Sequence, residues 1–132
     1  MKYLCLAYEE ETKLAELSRT EWDALRHETL AYVDTLRRNG HLILAEPLQS
    51  VRSAVTVRVR DSNLSTTDGP FAETKEQLGG FFLIEAKDLN DAIQVASRWP
   101  SARFGSIEVR PLEAGLPQDG RYPALSPTRS ES

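Results

Sequence analysis

Apolar residues recur along this chain with two different periods, and the stretches where neither period holds are the most informative. Lys2 to Tyr8 is a mostly apolar run that reads as a first strand, and the acidic, turn-like stretch Glu9 to Leu17 leads out of it. Ser18 and Glu21 have the spacing of a capping box, in which hydroxyl and carboxylate each satisfy a backbone N–H at a helix start. In the helix that follows, Trp22, Leu25, Thr29, Val33 and Leu36 fall at spacings of three and four and form one apolar stripe. Arg26, His27, Asp34, Arg37 and Arg38 fall largely off that stripe, and Asn39-Gly40 supplies a left-handed stop. His41 to Leu48 and Ala54 to Arg60 are β-rich runs, and Asp61-Ser62-Asn63 is a turn that returns the chain through Leu64 to Thr67 as a hairpin. After the loop Asp68 to Gly80, Phe81 to Ala86 is a strand. Asp88 then caps a second helix through Leu89, Ala92, Ile93, Ala96 and Trp99, Pro100 stops it, and Gly105 to Pro111 is the last strand.

This order predicts an α+β protomer of the ferredoxin-like, split β-α-β kind, with both helices on one sheet face. Two strands break the alternation that a half-wet sheet requires: Leu42-Ile43-Leu44-Ala45 and Phe81-Phe82-Leu83-Ile84 run apolar without interruption. Both sheet faces are therefore expected to be covered. Two helices cover only one, so the other is expected to pack on a second copy of the chain, giving a homodimer. Burying roughly 600 Å² of apolar surface per protomer would contribute on the order of 15 kcal/mol before the costs of association.

Composition narrows the function. A chain of 132 residues, 27% charged and 40% hydrophobic, has the size and balance of one globular domain. Residues 1–112 are expected to form it, with 113–132 a Pro/Gly/Ser-rich tail whose Tyr122 and Leu125 dock on the body or the partner chain. No apolar run approaches the ~20 residues of a membrane span, and MKYLCLAYEEE lacks the features of a signal peptide, so a cytoplasmic location is expected. A net charge of −4 without a basic stripe argues against nucleic acid. Cys5 is the single cysteine, set in a strand where a thiol acts as a small hydrophobe, and there are only two histidines. Thiolate and multi-histidine metal sites are thereby excluded. With no GxGxxG and no P-loop, no cofactor and no metal are expected, and a carboxylate site from Asp68, Glu73 and Glu76 is the remaining metal option.

The candidate chemistry lies in Asp68-Gly69-Pro70-Phe71-Ala72-Glu73-Thr74-Lys75-Glu76-Gln77-Leu78-Gly79-Gly80. Gly69-Pro70 fixes the backbone direction, Phe71 can plug the loop onto the core, and Gly79-Gly80 allows a close backbone approach. Asp68 is thus presented at a strand end by a rigid turn, as a general acid or base is often held. The alternative is an Asx-turn, with Asp68 bonding the loop's own amides and Glu73, Lys75 and Glu76 forming a solvated run.

The words TDGPFAETKEQLGGFFLIEA, with MKYLCLAY, GHLILAEPLQS and GSIEVRPL, resemble the DGPF branch of the YCII-related family from Met1 to Leu112. The resemblance implies a ferredoxin-like protomer in a dimeric α/β barrel, in a bacterial, cytoplasmic setting. It also implies an enzymatic activity built on a histidine of the first helix and a loop aspartate matching Asp68. Related barrels act on small, often aromatic or quinone-like molecules. The histidine position corresponds here to the neighbourhood of Thr29, whereas His27 lies about 200° around the helix from Leu25, on the wet face. His41 is the other imidazole, and a structural role at the helix end competes with a catalytic one. Tyr8, Arg58, Arg60 and Arg103 are candidate replacements, since a cleft for a phenolate or carboxylate needs a cation or phenol beside the acid. Arg58 and Arg60 share a strand side with Thr56, opposite Val55, Val57 and Val59, and read equally as a solvated edge.

Three functions compete. A cofactor-free acid/base enzyme acting on a small cyclic or aromatic substrate predicts a raised pKa and a concave pocket at Asp68, with Tyr8, His41, Phe71, Arg58 and Arg103 as substrate contacts. A ligand-binding or regulatory protein with a protein partner predicts a flat, charged loop; the DGPF branch is often encoded beside extracytoplasmic-function sigma factors. A dimer-locking turn predicts that backbone amides satisfy Asp68.

Overall fold

The computed structural model describes residues 1–113. The elements in chain order are β1 (Lys2–Glu9), α1 (Glu11–Leu14), α2 (Arg19–Arg38), β2 (Leu42–Pro47), β3 (Val55–Arg60), β4 (Asn63–Asp68), β5 (Gln77–Glu85), α3 (Leu89–Ser97) and β6 (Ser106–Pro111). Short 3-10 turns occupy Val51–Ser53 and Pro100–Arg103. The domain division proposed at Leu112 and the docking of Tyr122 and Leu125 concern a tail that lies outside the described residues.

Four strands form one antiparallel sheet in the order β2-β5-β1-β6, with α2 and α3 as its two crossovers. This agrees with the ferredoxin-like α+β pattern. β3 and β4 pair only with each other, as an arm between β2 and β5. Both helix starts follow the sequence: Ser18 and Glu21 form a reciprocal capping box, and the Asp88 side chain accepts from the Asp91 N–H at 2.9 Å. Gly40, at φ +84°, ends the segment after α2, a conformation in which a Cβ is penalised.

Two expectations change. The stretch Glu9 to Leu17 contains the short helix α1 rather than turns alone, and β5 starts at Gln77, well before Phe81. Gly79 and Gly80 therefore belong to a strand. The ladder is irregular there, since Ala7 faces Gly80 and Tyr8 faces Leu78, leaving Gly79 as the extra residue of a bulge.

Tyr3, Cys5, Phe82 and Ile84 point to the helices and are buried with Leu36, Ala92 and Val95. Trp99 stacks on Phe82 with ring centroids 4.0 Å apart, and the Tyr32 hydroxyl donates to the Val95 carbonyl at 2.7 Å. The opposite sheet face carries Leu4 beside Leu83, Leu6 beside Phe81, and Leu44 beside Leu83, all incompletely covered by the single chain. Among the described residues no helix is long and apolar enough to cross a membrane.

Candidate functional site

The β4–β5 connection starts as a tightly held turn. Gly69, at φ +114°, donates its N–H to the Ala54 carbonyl at 2.8 Å and accepts at its own carbonyl from the Thr56 hydroxyl at 2.9 Å. Asp68 faces Val55 across the arm and is exposed, and its carboxylate makes no hydrogen bond or ion pair to any described residue. The Asx-turn is thus not formed. Phe71 is 81% exposed instead of plugging the loop onto the core, and the Arg58 guanidinium lies 5.9 Å from its ring centroid. Arg58 and Phe71 are brought together, on the arm face opposite Asp68 and Val55.

The second half of the loop is braced against the sheet. Thr74 donates its hydroxyl to the Glu76 carbonyl, and the Gln77 side-chain amide donates to the Thr74 carbonyl at 2.8 Å while its oxygen accepts from the Glu11 N–H at 2.9 Å. Ser106 donates to Glu76 Oε1 at 2.9 Å. Thr74, Lys75 and Glu76 thereby form one wall of an open cleft of about 620 Å³, whose other walls are Tyr8, Ser106, Ile107 and Glu108. Tyr8 donates a long 3.4 Å hydrogen bond to Glu108 Oε1, and burial, followed by the Glu108 charge, pushes its phenol above the usual range. This shallow, open cleft is thus lined by a phenol, an ammonium, two aliphatic hydroxyls and two carboxylates.

A smaller hollow of about 270 Å³ lies on the helix side, lined by Glu9, Glu10, Lys13, Leu14, Leu17, Arg103 and Phe104. Glu9 occupies space left by Gly79, where an added Cβ would stand 2.1 Å from Glu9 Oε1. Its carboxylate makes no hydrogen bond or ion pair to any described residue, and burial, with Glu11 second, raises its pKa. Arg103 clamps Glu28 of α2 through two bonds of 2.6 and 2.8 Å, which hold the Glu28 carboxyl below its usual range and the guanidinium above its own. Beside it, Thr29 spends its hydroxyl on the Leu25 carbonyl at 2.8 Å. The back-bonded Thr29 and the neighbouring Glu28–Arg103 ion pair therefore occupy the stretch of helix where the resemblance implies a histidine.

His41 lies at the mouth of β2, with Nδ1 2.9 Å from Asn39 Oδ1 and Nε2 3.2 Å from Asp91 Oδ2. Asp91 also accepts from the Lys87 N–H, and that bond first, then His41, holds its carboxyl below the usual range. With both ring nitrogens engaged, the imidazole ties the end of α2 to the start of α3. Of the residues singled out in the sequence, Tyr8 and Glu76 line the larger cleft and Arg103 the smaller, while Asp68 lines neither. Among the described residues Asp68, Glu73 and Glu76 do not gather into a metal-holding group. Ser106 and Glu108 were not singled out as site residues. The period-two pattern of GSIEVRP, which puts Ser106 and Glu108 on the same face, is the signal that pointed to them.

A curated relative is an uncharacterized protein, R00369, of Rhizobium meliloti (strain 1021), 34% identical over 126 residues, covering 94% of this chain and all of that one. Among solved structures, a similar fold is found in 5-chloro-2-hydroxyhydroquinone dehydrochlorinase (TftG) of Burkholderia phenoliruptrix AC1100, in complex with 2,5-dihydroxybenzoquinone. Its TM-score is 0.50 at 17% identity, covering 87% of this chain and 96% of that one. The YCII-related domain matches residues 1–114, and the chain belongs to the YCII-related family.

Proposed function

We propose that this protein binds a small cyclic or aromatic molecule, as a homodimer whose two sheets face each other in an α/β barrel, and that Asp68 supplies cofactor-free acid/base chemistry. The observation that carries the reading is the cleft at the end of the half-covered apolar sheet face, where Tyr8, Lys75, Ser106, Glu76 and Glu108 converge. A planar ring fits against the Tyr8 phenol and the neighbouring apolar strip, with hydroxyl or keto groups meeting the ammonium, the hydroxyl and the carboxylates. The run Asp68 to Glu76 supports assignment to the DGPF branch. TftG, of the same fold, acts on a chlorinated hydroxyhydroquinone and holds a dihydroxybenzoquinone, which guides the choice of probes. Asp68 stands off the cleft of its own protomer, and its unpaired carboxylate is free to take a proton from a ligand held between two protomers.

Ligand-dependent thermal stabilisation across phenols, quinones, lactones and small acids tests this. A compound that stabilises the wild type, and whose affinity falls about tenfold in Glu108→Gln, is the expected result; turnover lost in Asp68→Asn with binding retained assigns the proton transfer. A panel without a single hit overturns the small-molecule reading.

A further inference from the structure

Glu9 is held at a cost in stability. It follows Tyr8 on β1 and so points to the opposite sheet face, lining the helix-side hollow rather than the cleft. Its carboxylate is half-buried, has no hydrogen bond or ion pair among the described residues, and is penalised in its ionised form by that burial. A charge drawn out of water is normally given a partner, because an uncompensated one destabilises the fold. Here the chain makes room for it instead: the β5 bulge sets Gly79, which has no side chain, against the carboxylate. Bulges recur beside functional sites, where they re-aim a side chain. An unpaired carboxylate that is kept in a concavity in this way marks a place for a ligand.

We propose that the helix-side hollow is a second binding site, separate from the cleft, and that it takes a small organic ammonium ion whose charge pairs with Glu9. Leu14, Leu17 and Phe104 give the hollow apolar walls, so the ammonium has to carry a hydrocarbon group. The volume of about 270 Å³ lies just under the ~300 Å³ at which ligand pockets usually start, which limits that group to a short chain or one ring. Charge decides the sign of the ligand. Arg103 lines the hollow, but both its terminal nitrogens are engaged by Glu28, at 2.6 and 2.8 Å, and its charge is already matched. Lys13 is exposed, and its flexible stem lets the ammonium stay in water. Glu10 lines the hollow as well, and Glu11 is the neighbouring charge that Glu9 feels. An anion entering here meets carboxylates. A cation meets the unpaired one and favours the ionised form that burial penalises, in surroundings where a charge pair is stronger than on an open surface.

The test titrates benzylamine, cyclohexylamine and butylamine into the wild type by calorimetry at neutral pH, each beside the corresponding alcohol as its uncharged match. The tightest amine is then titrated into Glu9→Gln and Glu16→Gln. Glu16 is an exposed carboxylate outside the hollow, so its variant makes the same change of net charge without touching the site. Glu9→Gln removes a desolvated charge and is expected to stay folded. The expected result is saturable binding of at least one amine at millimolar concentration or below, about tenfold weaker for its alcohol and in Glu9→Gln, and unchanged in Glu16→Gln. An alcohol that binds as well as its amine, an affinity that survives Glu9→Gln, or one lowered equally by Glu16→Gln overturns the proposal, and so does a lack of binding by all three amines at millimolar concentration.

Discussion

Glu9 and Gly79 show what a single missing side chain does. The bulge places Gly79 beside the end of β1, and the carboxylate of Glu9 fills the gap without a hydrogen-bonding partner among the described residues. Because its pKa is raised in the fold, the native state holds that proton more tightly than the unfolded chain. Stability is therefore greatest with Glu9 protonated and falls as pH rises through the raised value. Glu9→Gln removes this penalty, so the variant is expected to melt above the wild type at about pH 7, with the gap closing towards about pH 4. A paired series of thermal melts reads both. The two crowded glycines differ in what they meet. A Cβ at Gly79 meets the end of a flexible side chain, whereas at Gly105 it meets the Tyr8 backbone carbonyl oxygen at 2.0 Å. Gly105→Ala is expected to cost about 1–3 kcal/mol in denaturant titration, and Gly79→Ala distinctly less. None of this was legible from residue spacing, since Glu9 meets Gly79 only through a ladder irregularity. Cys5 was legible: a thiol in an apolar strand is fully buried, and burial pushes its pKa up to about 12. Thiol reagents are expected to label it only on unfolding.

Helix ends were the most readable elements because a cap is a short-range contract between a side chain and the backbone two or three residues away. Ser18→Ala should cost about 1 kcal/mol, measured by chemical denaturation, since it strips one half of a reciprocal pair. The strand boundaries were less readable. Gly79-Gly80 were placed at the end of a loop, yet both lie inside β5, and the close backbone approach expected of them is found at Gly80, where a Cβ would lie 3.0 Å from the Glu46 carbonyl oxygen. The candidate site suffered for the same reason. Taking Asp68 to Gly80 as one loop concealed that its first half belongs to the arm and its second half walls the cleft with β1 and β6. Alternation in Val55, Val57 and Val59 did identify a two-sided ribbon, but not that its apolar side would be left uncovered by its own chain.

Across the whole molecule, the chain order of strands and helices followed from hydrophobic periodicity, and the uninterrupted apolar runs of β2 and β5 lie in a sheet whose second face the helices do not reach. Phe82 anchors the face they do reach, stacked on Trp99 and fully buried, so Phe82→Ala is expected to lose about 3–5 kcal/mol in equilibrium unfolding. What periodicity does not carry is the meeting of a loop with a distant strand, such as Thr74 to Glu76 with Ser106 to Glu108 of β6. The Leu48 N–H donates to the Gly79 carbonyl at 2.9 Å, so the pairing of β2 with β5 is already closed before the chain leaves for residues 49–76. That excursion leaves and returns through a closed hairpin stem, and lengthening the arm within it adds little closure entropy. A lineage built on this stem is free to rewrite the excursion without renegotiating the core. Since one segment holds the exposed valine face of the arm, Asp68 and a wall of the cleft, a single change of its length alters the setting of all three at once.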